Sequence, residues 1–125
     1  MMPLTFKIAH DKRFVHATAK GRVVLKDVED YFDALMVQDA MAYPKLVDAT
    51  QAQFVASDDD MMVLGARVSA YAACDPRGPI CLVAVTDHAI DFLRRFTNLG
   101  GAERAARIVA TVDEGLRWLA AQERK

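Results

Sequence analysis

The sequence predicts one α/β domain with a mixed five-stranded sheet, an N-terminal hairpin and four helices, in the order β-β-α-β-α-β-α-β-α. Three observations lead to this prediction. Residues 4–24 alternate apolar and polar side chains on both sides of a polar turn, which is typical of two paired strands. Four later segments carry apolar side chains at helical spacing. Short apolar runs separate those segments, and strands that alternate with single helices predict parallel pairing through right-handed crossovers.

Length and charge limit the class of protein. The 125 residues are the size of one domain, 1–125, and 53% of them are hydrophobic, as in ordinary globular proteins. Because 16 basic residues face 17 acidic ones, we expect no nucleic-acid partner. No apolar run approaches the ~18 residues of a membrane helix, so we expect no membrane-spanning segment. The N-terminus has no signal-peptide pattern, which favours a cytoplasmic location.

The hairpin and the first helix come first along the chain. The hairpin turns at His10–Arg13, and Gly21 is expected to end or bend its second strand. The segment KDVEDYFDALMVQD then changes to helical spacing, and Asp27 with Asp30 is expected to form a capping pair at its start. The apolar stripe of this helix consists of Val28, Tyr31, Phe32, Leu35 and Met36.

The middle of the chain predicts two strands around a second helix. LVDAT is a short apolar strand, and QAQFVA is expected to follow as a loop or a brief extended piece. Ser57 is expected to be the N-cap of a helix that runs to about Ala73, with Met61, Leu64, Val68 and Tyr71 or Ala72 on its inner side. PICLVAVTD is apolar from Ile80 to Val85, which favours a central strand covered on both faces.

The last third predicts a helix, a strand and a closing helix. HAIDFLRRFTNLGG has helical spacing, and Gly100-Gly101 is a typical stop. ARIVATV is the fifth strand, and DEGLRWLAAQ is a helix expected to bury Leu116 and Leu119. The inward side chains of the third helix are expected to be Phe92, Leu93, Phe96 and Leu99.

Cysteine and histidine usage gives no metal or cofactor pattern. Cys74 and Cys81 could bridge in an oxidising compartment, but a chain without a signal peptide is expected to keep them reduced. Their spacing fits no zinc motif, and the three histidines form no HxH or HxxxH pattern. We therefore expect neither a metal site nor a cofactor.

Four short motifs resemble the SpoIIAA-like group within the STAS fold of anti-sigma-factor antagonists. They are the hairpin strand from Val15 to Val23, the LVDAT strand, the FVASDDDMMVLG junction and the closing GLRWL helix. Phosphorylatable members carry two serines at that junction, and the second is modified. Here Ser57 matches the first serine, and Asp58 stands at the acceptor position. The resemblance therefore implies a non-enzymatic regulatory module without a phosphoserine switch.

The three aspartates of this junction also have a purely structural explanation. Ser57 suits an N-cap, and acidic side chains in a first turn gain about 0.3–1 kcal/mol each from the helix dipole. The family resemblance adds that a cytoplasmic protein partner would dock at this helix start. The docking residues it implies are Ser57, Asp58, Asp59, Asp60, Met61 and Met62.

Two other interpretations stay open. The SpoIIAA-like group is also compared with CRAL-TRIO lipid-transfer domains, which implies, as an alternative to ordinary core packing, a carrier or sensor of a small apolar ligand held between helices and sheet. Its pocket would use Tyr31, Phe32, Met36, Phe92, Phe96 and His88. An enzyme would use His88 with Asp87 or Asp58, but we expect no catalytic residues, since single polar side chains at helix starts usually serve as caps.

A homodimer is compatible with a domain of this size.

Overall fold

The computed structural model describes residues 3–74, 78–98 and 105–122, and side chains 72–74 lie outside the description. The predicted order of elements is confirmed. Strands and helices alternate as β1 (Leu4–Ala9), β2 (Phe14–Val24), α1 (Leu25–Val37), β3 (Lys45–Val55), α2 (Asp58–Cys74), β4 (Ile80–Val83), α3 (Asp87–Thr97), β5 (Ala106–Val109) and α4 (Val112–Gln122). In these ranges, no helix is long and apolar enough to cross a bilayer.

The sheet has the strand order β1-β2-β3-β4-β5. β1 and β2 pair antiparallel as the hairpin, whereas the other three pairings are parallel. The sheet is therefore mixed, as predicted. Because sequential strands are also spatial neighbours, β1 lies at one edge and β5 at the other.

Helices cover the two faces of the sheet unequally. α1, α2 and α3 pack on one face and share a large apolar core with alternate side chains of all five strands. α4 packs on the other face, where it contacts β3, β4 and β5. β4 is buried on both faces, as its continuous apolar run predicts. The opposite half of the α4 face, formed by β1 and β2, exposes polar side chains such as Lys7 and His16.

β3 is longer than predicted. The segment QAQFV, expected as a loop or brief extended piece, continues the strand, since Gln51–Val55 pairs in register with Lys20–Val24. Gly21 lies inside β2 with φ +70°, so it bends the strand and does not end it. A shift of register between Thr18 and Lys20 accommodates an extra β3 residue.

The start of α1 also differs from the prediction. The helix begins at Leu25, and the Asp27 carboxylate accepts a hydrogen bond of 2.8 Å from the Val24 amide. Asp30 contacts Lys26, at 3.4 Å, instead of capping with Asp27. The predicted Asp27–Asp30 pair is wrong, because the helix begins earlier and Asp27 occupies its third position.

α4 packs through a glycine, not through Leu116. Leu116, expected to be buried, is 43% exposed, while Leu119 is buried as predicted. A Cβ on Gly115 would lie 2.6 Å from Leu46 Cδ1 and 3.2 Å from Cys81 Sγ. The helix backbone therefore approaches the sheet closely at Gly115, and Leu116, one residue further around the helix, faces outward.

One of the two cysteines, Cys81, lies among the described side chains. Cys81 is a free, buried thiol, and burial raises its pKa to about 11. A thiol in this state is a poor nucleophile at neutral pH. The Cys74 side chain, Leu99 and the expected stop at Gly100-Gly101 lie outside the described residues.

A buried lysine holds the amino end of the sheet together. Lys45, the first residue of β3, has an exposed fraction of 0%. Its Nζ donates to the carbonyl oxygens of Met41 at 2.5 Å and Tyr43 at 2.9 Å. The Met41 carbonyl also accepts from the Gly78 amide at 3.0 Å. The loop between α1 and β3 is thus joined to the segment that leads into β4.

Gly78 has no room for a side chain, and we expect Gly78→Ala to destabilise the protein by about 2–4 kcal/mol. Its Cβ would lie directly against the Ala42 carbonyl oxygen and 2.5 Å from that of Tyr43, and backbone atoms cannot yield as a side chain can. Urea unfolding measures the loss. Gly21→Asn is the matched control, because nothing lies within 4 Å there and Asn tolerates the positive φ. An equal loss in both variants would contradict the steric explanation.

Candidate functional site

The start of α2 is a closed capping box. The Ser57 hydroxyl accepts from the Asp60 amide at 3.1 Å, and the Asp60 carboxylate accepts from the Ser57 amide at 3.0 Å. The predicted N-cap is therefore confirmed. Both side chains are engaged with backbone, so they fix the direction in which the next residues project.

Asp58 connects this helix start to α3. Its carboxylate accepts from Arg95 at 2.9 Å, although both side chains are largely exposed. An exposed pair of this kind stabilises by only about 0–1 kcal/mol. The pair also lies at an open depression of about 390 Å³, because both residues belong to its lining. The depression is lined by Asp58, Met61, Met62, Arg95 and Asn98.

The two methionines of the junction have opposite environments. Met61 is buried, although it contributes to the lining of the depression, whereas Met62 is 74% exposed. Val63, next to it, is also exposed. An apolar patch of Met62 and Val63 therefore lies beside the exposed carboxylates of Asp58 and Asp59. Of the six predicted docking residues, Ser57, Asp58, Asp59 and Met62 are exposed at this helix start. Asp60 is half-buried, and Met61 is buried.

His88 serves as a link between backbone segments. Its Nε2 lies 2.9 Å from the Phe54 carbonyl oxygen. A carbonyl oxygen only accepts, so Nε2 carries the hydrogen and donates it. Within the described ranges, no hydrogen bond or ion pair joins His88 to a carboxylate, so the His88–Asp87 or His88–Asp58 arrangement of the enzyme hypothesis is not formed there. The N-cap of α3 is Thr86, whose hydroxyl accepts from the Ala89 amide.

Four of the six predicted ligand-pocket residues meet around one small cavity. Tyr31, Phe32, Phe92 and Phe96 contribute to its wholly apolar lining, together with side chains from β1, β2, β3 and β4. The cavity has a volume of about 40 Å³. Met36 and His88 do not line it. Phe92 stacks face to face on Phe54, with ring centres 4.3 Å apart, and Phe32 stacks on Phe96 at 5.9 Å.

A polar network between α1 and α2 was not anticipated from the sequence. Arg67 lies 3.0 Å from Glu29 and 2.9 Å from Asp33, and the Tyr71 hydroxyl donates to Asp33. Burial and then the hydrogen bond to Asp33 raise the pKa of Tyr71 to about 12. The sequence did carry a signal: Glu29 and Asp33, like Arg67 and Tyr71, are four residues apart on one helix face. This network ties the two helices together at their exposed side.

In the described part of the chain, no group of three or more His, Cys, Asp or Glu side chains is arranged so that it could hold a metal ion. The site is therefore built from a capped helix start, one ion pair and an exposed apolar patch. Such an arrangement suits contact with another molecule.

Two solved structures share this architecture. A DUF3478-family protein with a SpoIIAA-like fold from Shewanella loihica PV-4 superposes with a TM-score of 0.58 and 16% identity, over 93% of this chain and 91% of its own. The Bacillus cell fate determinant SpoIIAA, in its phosphorylated form, superposes with a TM-score of 0.53 and 14% identity, over 93% and 98%. No family model and no curated protein sequence matches the chain. At these identities the likeness establishes the fold, and the predicted SpoIIAA-like architecture is confirmed.

Removing the hydroxyl of Ser57 tests the capping box. We expect Ser57→Ala to lower the free energy of unfolding by about 1 kcal/mol, because the Asp60 amide loses its acceptor. Ser57→Thr keeps the hydroxyl and is expected to retain most of the stability. Chemical denaturation of the three proteins measures the difference. Equal stability of the Ala and Thr variants would contradict a capping role.

Proposed function

We propose that this protein is a non-enzymatic binding module of the STAS type that docks a protein partner at the start of α2. The observation that carries the proposal is the exposed patch of Met62 and Val63 beside Asp58 and Asp59. Exposed apolar side chains rimmed by charge are typical of protein contact sites. The confirmed fold supports the STAS comparison at the level of architecture.

The patch is presented by a rigid support. The capping box of Ser57 and Asp60 fixes the first turn, and the buried Met61 anchors the next one in the interior. Met62 is thereby held outward without a mobile loop. A partner that covers it loses little entropy from this side of the interface, which favours affinity.

The module works without a phosphoserine switch. Asp58 occupies the acceptor position that the family resemblance identifies, and it carries a permanent charge of about −1 where a phosphoserine carries about −1.5 to −2. Arg95 already pairs with that carboxylate. The Ser57 hydroxyl is engaged as the helix cap, and a phosphate there would face the neighbouring carboxylates. Docking is therefore constitutive, with specificity from the shape and charge of the patch.

A photo-crosslinking amino acid in place of Met62 tests the docking surface. We expect it to form a discrete covalent product with a protein in an extract of the source organism. Val37 is the matched control position, since it is 83% exposed and apolar but lies at the end of α1. Mass spectrometry identifies the product, and Asp58→Arg in the same background is expected to reduce its yield severalfold. Identical products from positions 62 and 37 would contradict a specific docking site.

A second candidate function is a carrier of a small apolar molecule. The observation in its favour is that Tyr31, Phe32, Phe92 and Phe96 surround one apolar cavity. Its volume of about 40 Å³ is far below the roughly 300–1,000 Å³ of drug-sized ligand sites. A lipid would have to displace the stacked rings of Phe54 and Phe92. The size of the cavity therefore places this candidate second.

Native mass spectrometry beside the denatured mass separates the two functions. For a docking module without a switch, we expect one unmodified mass in both spectra. A non-covalent adduct lost on denaturation would favour the carrier and give the mass of its ligand. A covalent phosphate that survives denaturation would contradict the absence of a phosphoserine switch.

A further inference from the structure

The outer edge of β1 offers free backbone groups for pairing. The Lys20 amide donates to the Pro3 carbonyl oxygen at 2.8 Å, so the backbone carbonyl of residue 3 points toward β2. In an antiparallel pair the hydrogen-bonding direction alternates from one residue to the next. The backbone amides and carbonyls of residues 5, 7 and 9 therefore also point toward β2. The amides and carbonyls of Leu4, Phe6 and Ile8 consequently point away from the sheet. In the described ranges, no strand pairs with this edge.

The two sides of this edge differ in chemistry. On the α1 side, a groove of about 170 Å³ runs between β1 and α1 and is lined by Leu4, Phe6, Tyr31 and Ala34. The ring of Phe6 packs edge-on against Tyr31 at 5.3 Å between centres. Asp27 and Asp30 also border the groove, but Asp27 is engaged with the Val24 amide and Asp30 with Lys26. The apolar floor is therefore the feature available to a new side chain.

The opposite side is polar and basic. Thr5 and Lys7 of β1 lie across from Thr18 and His16 of β2, around an open depression of about 270 Å³. Lys20 follows on the same face of β2. β1 and β2 contain no acidic residue. The nearest carboxylate on the next strand, Asp48, accepts from the amide and hydroxyl of Thr50.

From this juxtaposition we infer that the β1 edge binds an extended segment of a partner protein in which apolar and acidic residues alternate. Such a segment would add a sixth strand beside β1, a known mode of peptide recognition. Alternate side chains of an added strand point to opposite faces, so one set would fill the apolar groove and the other would lie along Lys7. This surface is separate from the start of α2. Its occupant would differ from a partner at α2 because it carries acidic side chains and pairs through its backbone.

Two other occupants fit less well. A second copy paired through β1 would bring the Lys7 side chains of both copies onto one face, and like charges across strands are destabilising. A nucleic acid would match the basic face, yet it lacks the alternating amides and carbonyls that continue a strand ladder, and the chain as a whole has a net charge of −1.

The test uses the full chain and a short, fluorescently labelled peptide that alternates valine and glutamate. Fluorescence anisotropy measures its binding. We expect Lys7→Glu to weaken binding about tenfold, since an attraction becomes a repulsion. Arg94→Glu, an exposed change on α3, is the matched control and is expected to leave the affinity unchanged. A peptide with lysine in place of glutamate is expected to bind about tenfold more weakly or not at all.

Hydrogen exchange by NMR tests the pairing itself. The peptide is expected to slow exchange of the Phe6 and Ile8 amides, while the Lys7 amide, already bonded to β2, changes little. A peptide that is N-methylated at alternate positions lacks the backbone N–H donors along one of its edges. When those positions face β1, it is expected to give no such protection. Unchanged exchange at Phe6 and Ile8 would overturn the inference. Equal binding of the lysine peptide and the glutamate peptide would also overturn it. The inference would likewise fail if, without peptide, a single-stranded oligonucleotide or a raised protein concentration protected the same amides.

Discussion

The buried amine of Lys45 is the constraint on which the amino end of the fold depends. Taking a polar group into the interior costs several kcal/mol unless it finds partners. Here the amine donates to the carbonyls of Met41 and Tyr43, and these carbonyls belong to the loop that connects α1 with β3. The loop must therefore fold back over the first residue of β3. That requirement sets where α1 ends relative to the sheet.

Other segments use the same loop as their support. The Gly78 amide donates to the Met41 carbonyl, which positions the chain that enters β4. The Tyr43 hydroxyl lies 2.9 Å from His10 Nδ1, and Arg13 lies over the Tyr43 ring at 5.2 Å, so the hairpin turn joins the same cluster. A loop that looks like a simple connection in the sequence thus fixes β1, β2, β3 and β4 relative to one another.

The unequal covering of the sheet then determines where other molecules can reach the protein. Three helices on one face bury the large core and project the start of α2, with Met62, at its exposed rim. The single helix on the other face reaches only β3, β4 and β5, which leaves the polar side chains of β1 and β2 in solvent. Both surfaces result from the fold, since neither requires a loop to move. The small apolar cavity lies between α1, α3 and the sheet, where the stacked rings of Phe54 and Phe92 contribute to its lining.

The sequence by itself determined the order of elements, the mixed sheet, the cap at Ser57 and the double burial of β4, because these depend on local periodicity and on residues with strong positional preferences. Tertiary contacts decided the rest. QAQFV became strand because β2 offered it a partner, and Leu116 turned outward because Gly115 packs against Leu46 and Cys81. The Asp58–Arg95 pair and the burial of Lys45 likewise depend on residues distant in the chain, whereas helical spacing had already predicted that Met61 faces inward. Periodicity describes one element at a time, whereas these features arise only when elements meet.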